Sequence, residues 1–149
     1  MNVASHISVD LDLHRGIIFF VFICLQYLAV LCAPPELEMD PVTPIYGYPY
    51  FVMCTLKVDR MDKRSLARPV EFELLEKRKK CVVTDWSYCL IPPASPPLWS
   101  CGCSSRTEDG SDAIYRFYFN IQNIDDSYRA EQVKIKMGTI ELIKQMTIV

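Results

Sequence analysis

Apolar and polar residues alternate along short runs of this chain, most clearly where Tyr115, Phe117, Phe119 and Ile121 are set against Arg116, Tyr118, Asn120 and Gln122. A period of two places each set on one face of an extended chain, so this stretch predicts a strand with one buried face. Val70, Phe72 and Leu74 against Glu71 and Glu73 predict a second strand. Tyr50 to Val58 predicts a third, with Val52, Cys54, Leu56 and Val58 on one side. The basic cluster Lys77-Arg78-Lys79-Lys80, followed by Cys81-Val82-Val83, gives the order expected of a hairpin with a solvated tip. Trp99 to Ser104 predicts a short strand, and Thr107 to Asp112 carries turn chemistry. Asn123 to Ser127 turns the chain before Val133 and Ile135 alternate with Lys134 and Lys136. After Gly138, the residues Ile140, Leu142, Ile143, Met146 and Ile148 fit either period, and their β-branched content favours strand. The aligned faces of the two clearest strands make Phe72, Phe117, Phe119 and Ile121 the expected core.

The N-terminal pattern is different. Gly16 to Cys32 is an unbroken apolar run except for Gln26, close to the shortest length that spans a bilayer. Cleavage after Cys32 would leave small or apolar residues at Val30 and Cys32 and start the mature chain at Ala33, before Pro34-Pro35. This favours a signal peptide over residues 1–32. Asp10 and Asp12 beside Arg15 depart from the usual basic leader, which leaves a retained signal anchor and a buried core helix as alternatives. Residues 33–44 are proline-rich and read as a linker or edge segment, with the folded domain over residues 45–149.

Six or seven short strands with no convincing helix argue for an all-β fold, an antiparallel β-sandwich. Residues 119–128, Phe-Asn-Ile-Gln-Asn-Ile-Asp-Asp-Ser-Tyr, resemble the strand E, turn, strand F passage of immunoglobulin-like domains. Cys54 is similar in position to the strand B cysteine. The resemblance implies an immunoglobulin-like β-sandwich and a binding role in protein recognition or adhesion. The strand F cysteine expected two residues after Tyr128 is Ala130, and Phe72 is the nearest large apolar residue to the expected strand C tryptophan. On this resemblance Cys54 pairs with Cys101 or Cys103, or stays free.

Composition narrows the chemistry. Half of the 149 residues are hydrophobic and 23% charged, as in globular proteins, and the net charge of −2 offers no footprint for nucleic acid. Both histidines, His6 and His14, precede the apolar run. The mature segment therefore lacks Ser-His-Asp, Cys-His and histidine-zinc chemistry. Its glycines are isolated, so no phosphate-binding loop is expected. Cys81, Cys89, Cys101 and Cys103 are spaced by eight, twelve and two, unlike paired zinc knuckles. No catalytic residue, metal or small-molecule cofactor is expected, and no Asn-x-Ser/Thr sequon occurs after residue 32.

Export would place the thiols in an oxidising space, secreted or at the extracellular face of the plasma membrane. Cys54, Cys81, Cys89, Cys101 and Cys103 are an odd set, so one thiol stays free or pairs with another chain. A Cys54 bridge into residues 101–103 together with a Cys81–Cys89 bridge would leave one of Cys101 and Cys103 available for a disulfide-linked dimer. Bridges confined to residues 81–103 would instead suit a small disulfide-rich secreted ligand or effector of another fold. For contact with an extracellular protein partner, the candidates are Trp86 and Tyr88, which sit among polar residues, and the basic Lys77, Arg78, Lys79 and Lys80. The same basic cluster suits a heparin-like polyanion, a processing protease or simple solvation. Trp99, beside the cysteine pair, is the expected core tryptophan.

Overall fold

The computed structural model describes residues 16–23, 33–86, 89, 97–121 and 123–149. The chain divides into two compact units, Met1–Ala33 and Pro34–Val149. In the first, residues 16–23 are helical, and Ile17, Ile18, Phe19, Phe20 and Phe22 are exposed. No helix among the described residues is long and apolar enough to cross a membrane. The expected cleavage position after Cys32 lies outside the described residues, as do Cys24 and Tyr88.

The second unit is built from eight strands among the described residues: β1 (Glu36–Met39), β2 (Tyr50–Asp59), β3 (Val70–Leu74), β4 (Lys79–Val83), β5 (Cys101–Asp109), β6 (Asp112–Ile121), β7 (Gln132–Met137) and β8 (Ile140–Gln145). They form two antiparallel four-stranded sheets, ordered β1-β2-β6-β5 and β4-β3-β7-β8. The period-two faces are the reason: Val52, Cys54, Leu56 and Val58 on β2, and Tyr115, Phe117, Phe119 and Ile121 on β6, are buried on one sheet. Val70, Phe72 and Leu74 on β3, with Val133, Ile135 and Met137 on β7, are buried on the other. The two sets meet in one core, where the Phe72 and Phe119 rings lie 5.7 Å apart. The expected core quartet is fully buried.

Several boundaries differ from the sequence expectation. Within the proline-rich segment, read as linker or edge, the chain forms an edge strand, β1, which pairs with β2 and starts the sheet before residue 45. After Pro41 the chain crosses toward the second sheet, where Thr147 N–H donates to the Val42 carbonyl at 2.9 Å and Val149 N–H to that of Pro44 at 3.0 Å. Proline at 41 and 44 forbids ladder donation there but not acceptance, which is all these bonds require. Thr107 to Asp109 belongs to strand β5, and the turn itself is Gly110-Ser111, with Gly110 at φ +59°. Ala130 is exposed in the turn before β7, so it does not occupy a strand position.

The disulfides also differ. Cys81 bridges Cys101 and Cys89 bridges Cys103, while Cys54 is free and buried. Of the outcomes left open for Cys54 the free one occurs, and sheet register explains why. Cys54 and Cys103 both oppose Phe117, from β2 and β5 on either side of β6. Two interstrand spacings separate their Cα atoms by ~10 Å, beyond the ~7 Å limit of a disulfide. Cys81 sits on the margin of the opposite sheet, within reach of Cys101. Bridges confined to residues 81–103 thus occur inside a two-sheet fold, and the expected exposed thiol at Cys101 or Cys103 is not present. The leftover thiol is Cys54, whose ionisation burial pushes up to about 12, helped by the Asp40 carboxylate.

Candidate interaction surface at one pole

Strand direction gives the sandwich two ends. The chain enters through β1 at the pole where β2 ends and β3 begins; β2 starts at the other pole, together with the ends of β6 and β8. At this second pole the β1–β2 connection runs Ile45-Tyr46-Gly47-Tyr48-Pro49-Tyr50-Phe51 without a charged residue. Ile45, Tyr46, Tyr48 and Phe51 are 57%, 52%, 64% and 40% exposed. Large apolar side chains left this open together are uncommon away from contact surfaces.

The loop is held from both sides. Gly47 N–H donates to the Ile124 carbonyl at 2.8 Å, and Ile124 N–H donates to that of Tyr48 at 3.1 Å. Tyr46 N–H donates to the Val149 carbonyl at 3.1 Å. Gly47 has φ +82°, a left-handed turn that costs a glycine little. Tyr50 turns inward: its hydroxyl donates to the Pro41 carbonyl at 2.9 Å and accepts the Thr43 N–H at 3.3 Å. Burial raises its pKa, the Thr43 hydrogen bond opposing and Asp40 reinforcing the shift. Phe51 meets Tyr118 edge-on at 6.2 Å on the outer face of the sheet, and Tyr118 lies across Gly102, where a Cβ would come 3.0 Å from the tyrosine hydroxyl. A side chain at 102 would therefore lift that ring.

The basic cluster lies at the same pole, as the β3–β4 turn and the start of β4. Lys77 donates to the Ser127 hydroxyl at 2.6 Å and stands 4.1 Å from the Tyr128 ring centroid. Lys79 lies 5.5 Å from the Trp99 ring centroid, and Lys80 pairs with Glu71 at 2.5 Å. Only Arg78 of the four has no such partner among the described residues. Three of the four expected contact cations are thus occupied within the domain.

The two tryptophans differ in burial, and both pack against the core. Trp86 is 2% exposed, stacks edge-on against Tyr115 and Phe117, and donates its indole N–H to the Arg68 carbonyl at 2.7 Å. It is buried at the first pole, with almost no surface left for an outside contact. Trp99 is half-buried, 6.2 Å from the Phe119 ring, at the aromatic pole. The polar neighbours of Trp86 give no local sign of its burial; Asp85, just before it, holds φ +52°. The exposed loop is legible in the sequence as Tyr-Gly-Tyr-Pro-Tyr-Phe, an uncharged aromatic run.

The outer face of the second sheet sets Glu71 and Glu73 on β3 between cations on β4 and β7, and Lys134 pairs with Glu73 at 2.5 Å. No group of three or more potential metal-ligating side chains occurs among the described residues. No protein-family model and no curated protein matches the chain.

Proposed function

We propose that this chain is a secreted or cell-surface immunoglobulin-like module that binds an extracellular protein through its aromatic pole and performs no catalysis. The strand order supports the fold. Lettering β1 to β8 as A, B, C, C′, D, E, F and G gives sheets A-B-E-D and C′-C-F-G, the constant-type arrangement with a C′ strand added. Phe72 takes the buried strand C position, and Tyr128 is buried at the E–F corner. The two disulfides support an oxidising compartment. The usual B–F bridge is replaced by Cys81–Cys101, which joins the sheets at the C′ and D margins.

The observation that carries the binding reading is the uncharged, exposed run Ile45–Phe51. Tyrosine offers large contact area with few rotatable bonds, and the backbone hydrogen bonds fix this loop before any partner arrives. Binding would then cost little loop ordering. The test is staining of a panel of intact animal cells with the fluorescent, multimerised domain. Staining should disappear in the Tyr46→Ser, Tyr48→Ser, Phe51→Ser triple variant and persist in Val82→Ser, Ile143→Ser on the other sheet. The reverse pattern, or no staining of any cell by the unaltered domain, overturns the proposal.

A further inference from the structure

A buried carboxylate stands behind this pole, away from its exposed side chains. Glu131 has no solvent exposure and lies between the 3-10 turn Asp126–Tyr128 and β7. Its Oε1 accepts the N–H of Glu76 at 2.9 Å and of Gln132 at 3.1 Å, and its Oε2 accepts the N–H of Lys77 at 3.1 Å. Its carbonyl accepts the Met146 N–H at 3.0 Å and the Gln145 side-chain amide at 2.8 Å. Its own N–H donates to the Tyr128 carbonyl at 3.0 Å. Glu131 forms no ion pair among the described residues, and the three donors to its carboxyl oxygens are all backbone N–H groups.

Glu76 and Lys77 form the tip of the β3–β4 hairpin, where the next residue, Arg78, holds φ +51°. A residue with a Cβ resists this left-handed conformation, so the tip needs an outside hold. The same turn that carries Glu131 carries Ile124, which binds Gly47 and Tyr48, and Ser127, which receives Lys77. We infer that Glu131 is the positioning residue of the pole, its buried carboxylate locking the basic hairpin tip onto the turn that also fixes the aromatic loop. Tip and loop then present one surface. The lock stands on geometry alone; its consequence for binding rests on the proposed function.

Amide hydrogen exchange on the disulfide-intact protein tests it. In the unaltered protein the Glu76 and Lys77 amides should be protected like strand amides, although both lie in a turn. Glu131→Gln keeps the size and one acceptor oxygen but turns an N–H donor toward the Lys77 N–H. These two amides should then exchange about tenfold faster or more, the scale expected for a lost charge-assisted bond, with β2 and β6 amides unchanged. Adding Arg78→Gly should recover part of the protection by relieving the left-handed conformation. Exposed-loop rates at Glu76 and Lys77 in the unaltered protein overturn the inference, whether or not the variant folds. Unchanged rates in Glu131→Gln, or equal acceleration everywhere, overturn it too. Loss of cell staining by the unaltered domain would sink the proposed function and leave these exchange results standing.

Discussion

The two poles of the sandwich use aromatic residues in opposite ways. At the first pole, Trp86 is driven into the sandwich, its indole N–H satisfied by the Arg68 carbonyl. Gly138 at φ +60° packs beneath the Arg68 side chain, and Arg60 ties Glu108 to the carbonyl of Gly110. At the second pole, Tyr46, Tyr48 and Phe51 stay in solvent while the backbone beneath them is hydrogen-bonded to Ile124 and Val149. The first pole spends its aromatic area on closing the core, and the second holds its area out on a rigid support. The contrast teaches that exposed aromatics here are not a failure of packing, since the same chain buries aromatics wherever a core position exists.

The largest effect should come from the closed pole. Trp86→Ala removes a buried ring and leaves the Arg68 carbonyl without its donor, so it should cost ~3–5 kcal/mol, read as a lower denaturation midpoint. A change within about 0.5 kcal/mol, typical of surface substitutions, would erase the distinction between the poles. Next in size is Gly138→Ala. Its new Cβ would meet Arg68 Nη1 at 2.6 Å. That side chain can swing away, so the remaining penalty is the left-handed backbone, about 1–2 kcal/mol. An unchanged midpoint would mean that the short turn is not constraining.

Smaller still is the effect expected at the open pole. Tyr48→Ser, at a residue 64% exposed, should shift stability by no more than about 0.5 kcal/mol. A loss as large as that of Trp86→Ala would reassign Tyr48 to structure and remove it from the contact surface. The smallest change concerns pH and serves as a control between the poles. Glu71 is held below its ordinary value of 4.5 chiefly by the Lys80 hydrogen bond, and Asp125 below 3.8 chiefly by Ser127. A carboxylate depressed on folding stabilises the native state above its unfolded pKa, and that contribution fades as pH falls through the folded one. Stability should therefore drop gently below about pH 4.5, with Glu71→Gln and Asp125→Asn flattening the slope. Were the slope unchanged in both variants, these exposed groups would carry no part of the acid response.

Cys54 offers a separate check on the fold. Fully buried and with its ionisation pushed up to about 12, it should resist alkylation in the native protein and react only on unfolding. Rapid native labelling would contradict the β2 face assignment.

Much of the sandwich was legible in the chain. Val70–Leu74 and the inward faces of β2 and β6 follow from period two alone, because burying one face of an extended strand forces that alternation. Harder to read was anything set by which strand lies beside which. The alternation of β5 ends at a bulge between Cys103 and Ser105, and beyond it the strand is polar and exposed, so it resembled a turn. Nothing local marks Glu131 as buried, because two of the donors to its carboxylate lie some fifty residues away in the chain.

The sequence by itself determined the all-β class, the buried faces, the odd number of cysteines after the apolar run and the absence of histidine chemistry in the domain. Each is a property of composition or of nearest neighbours along the chain. Only the tertiary structure decided that Cys54 and Cys103 share a sheet and cannot meet, that Trp86 is buried more completely than Trp99, and that an uncharged aromatic loop stands open at one pole. The physical reason is the same in each case. Disulfide reach, ring burial and loop exposure depend on distances between strands that are remote in sequence, and those distances are set by sheet order and register.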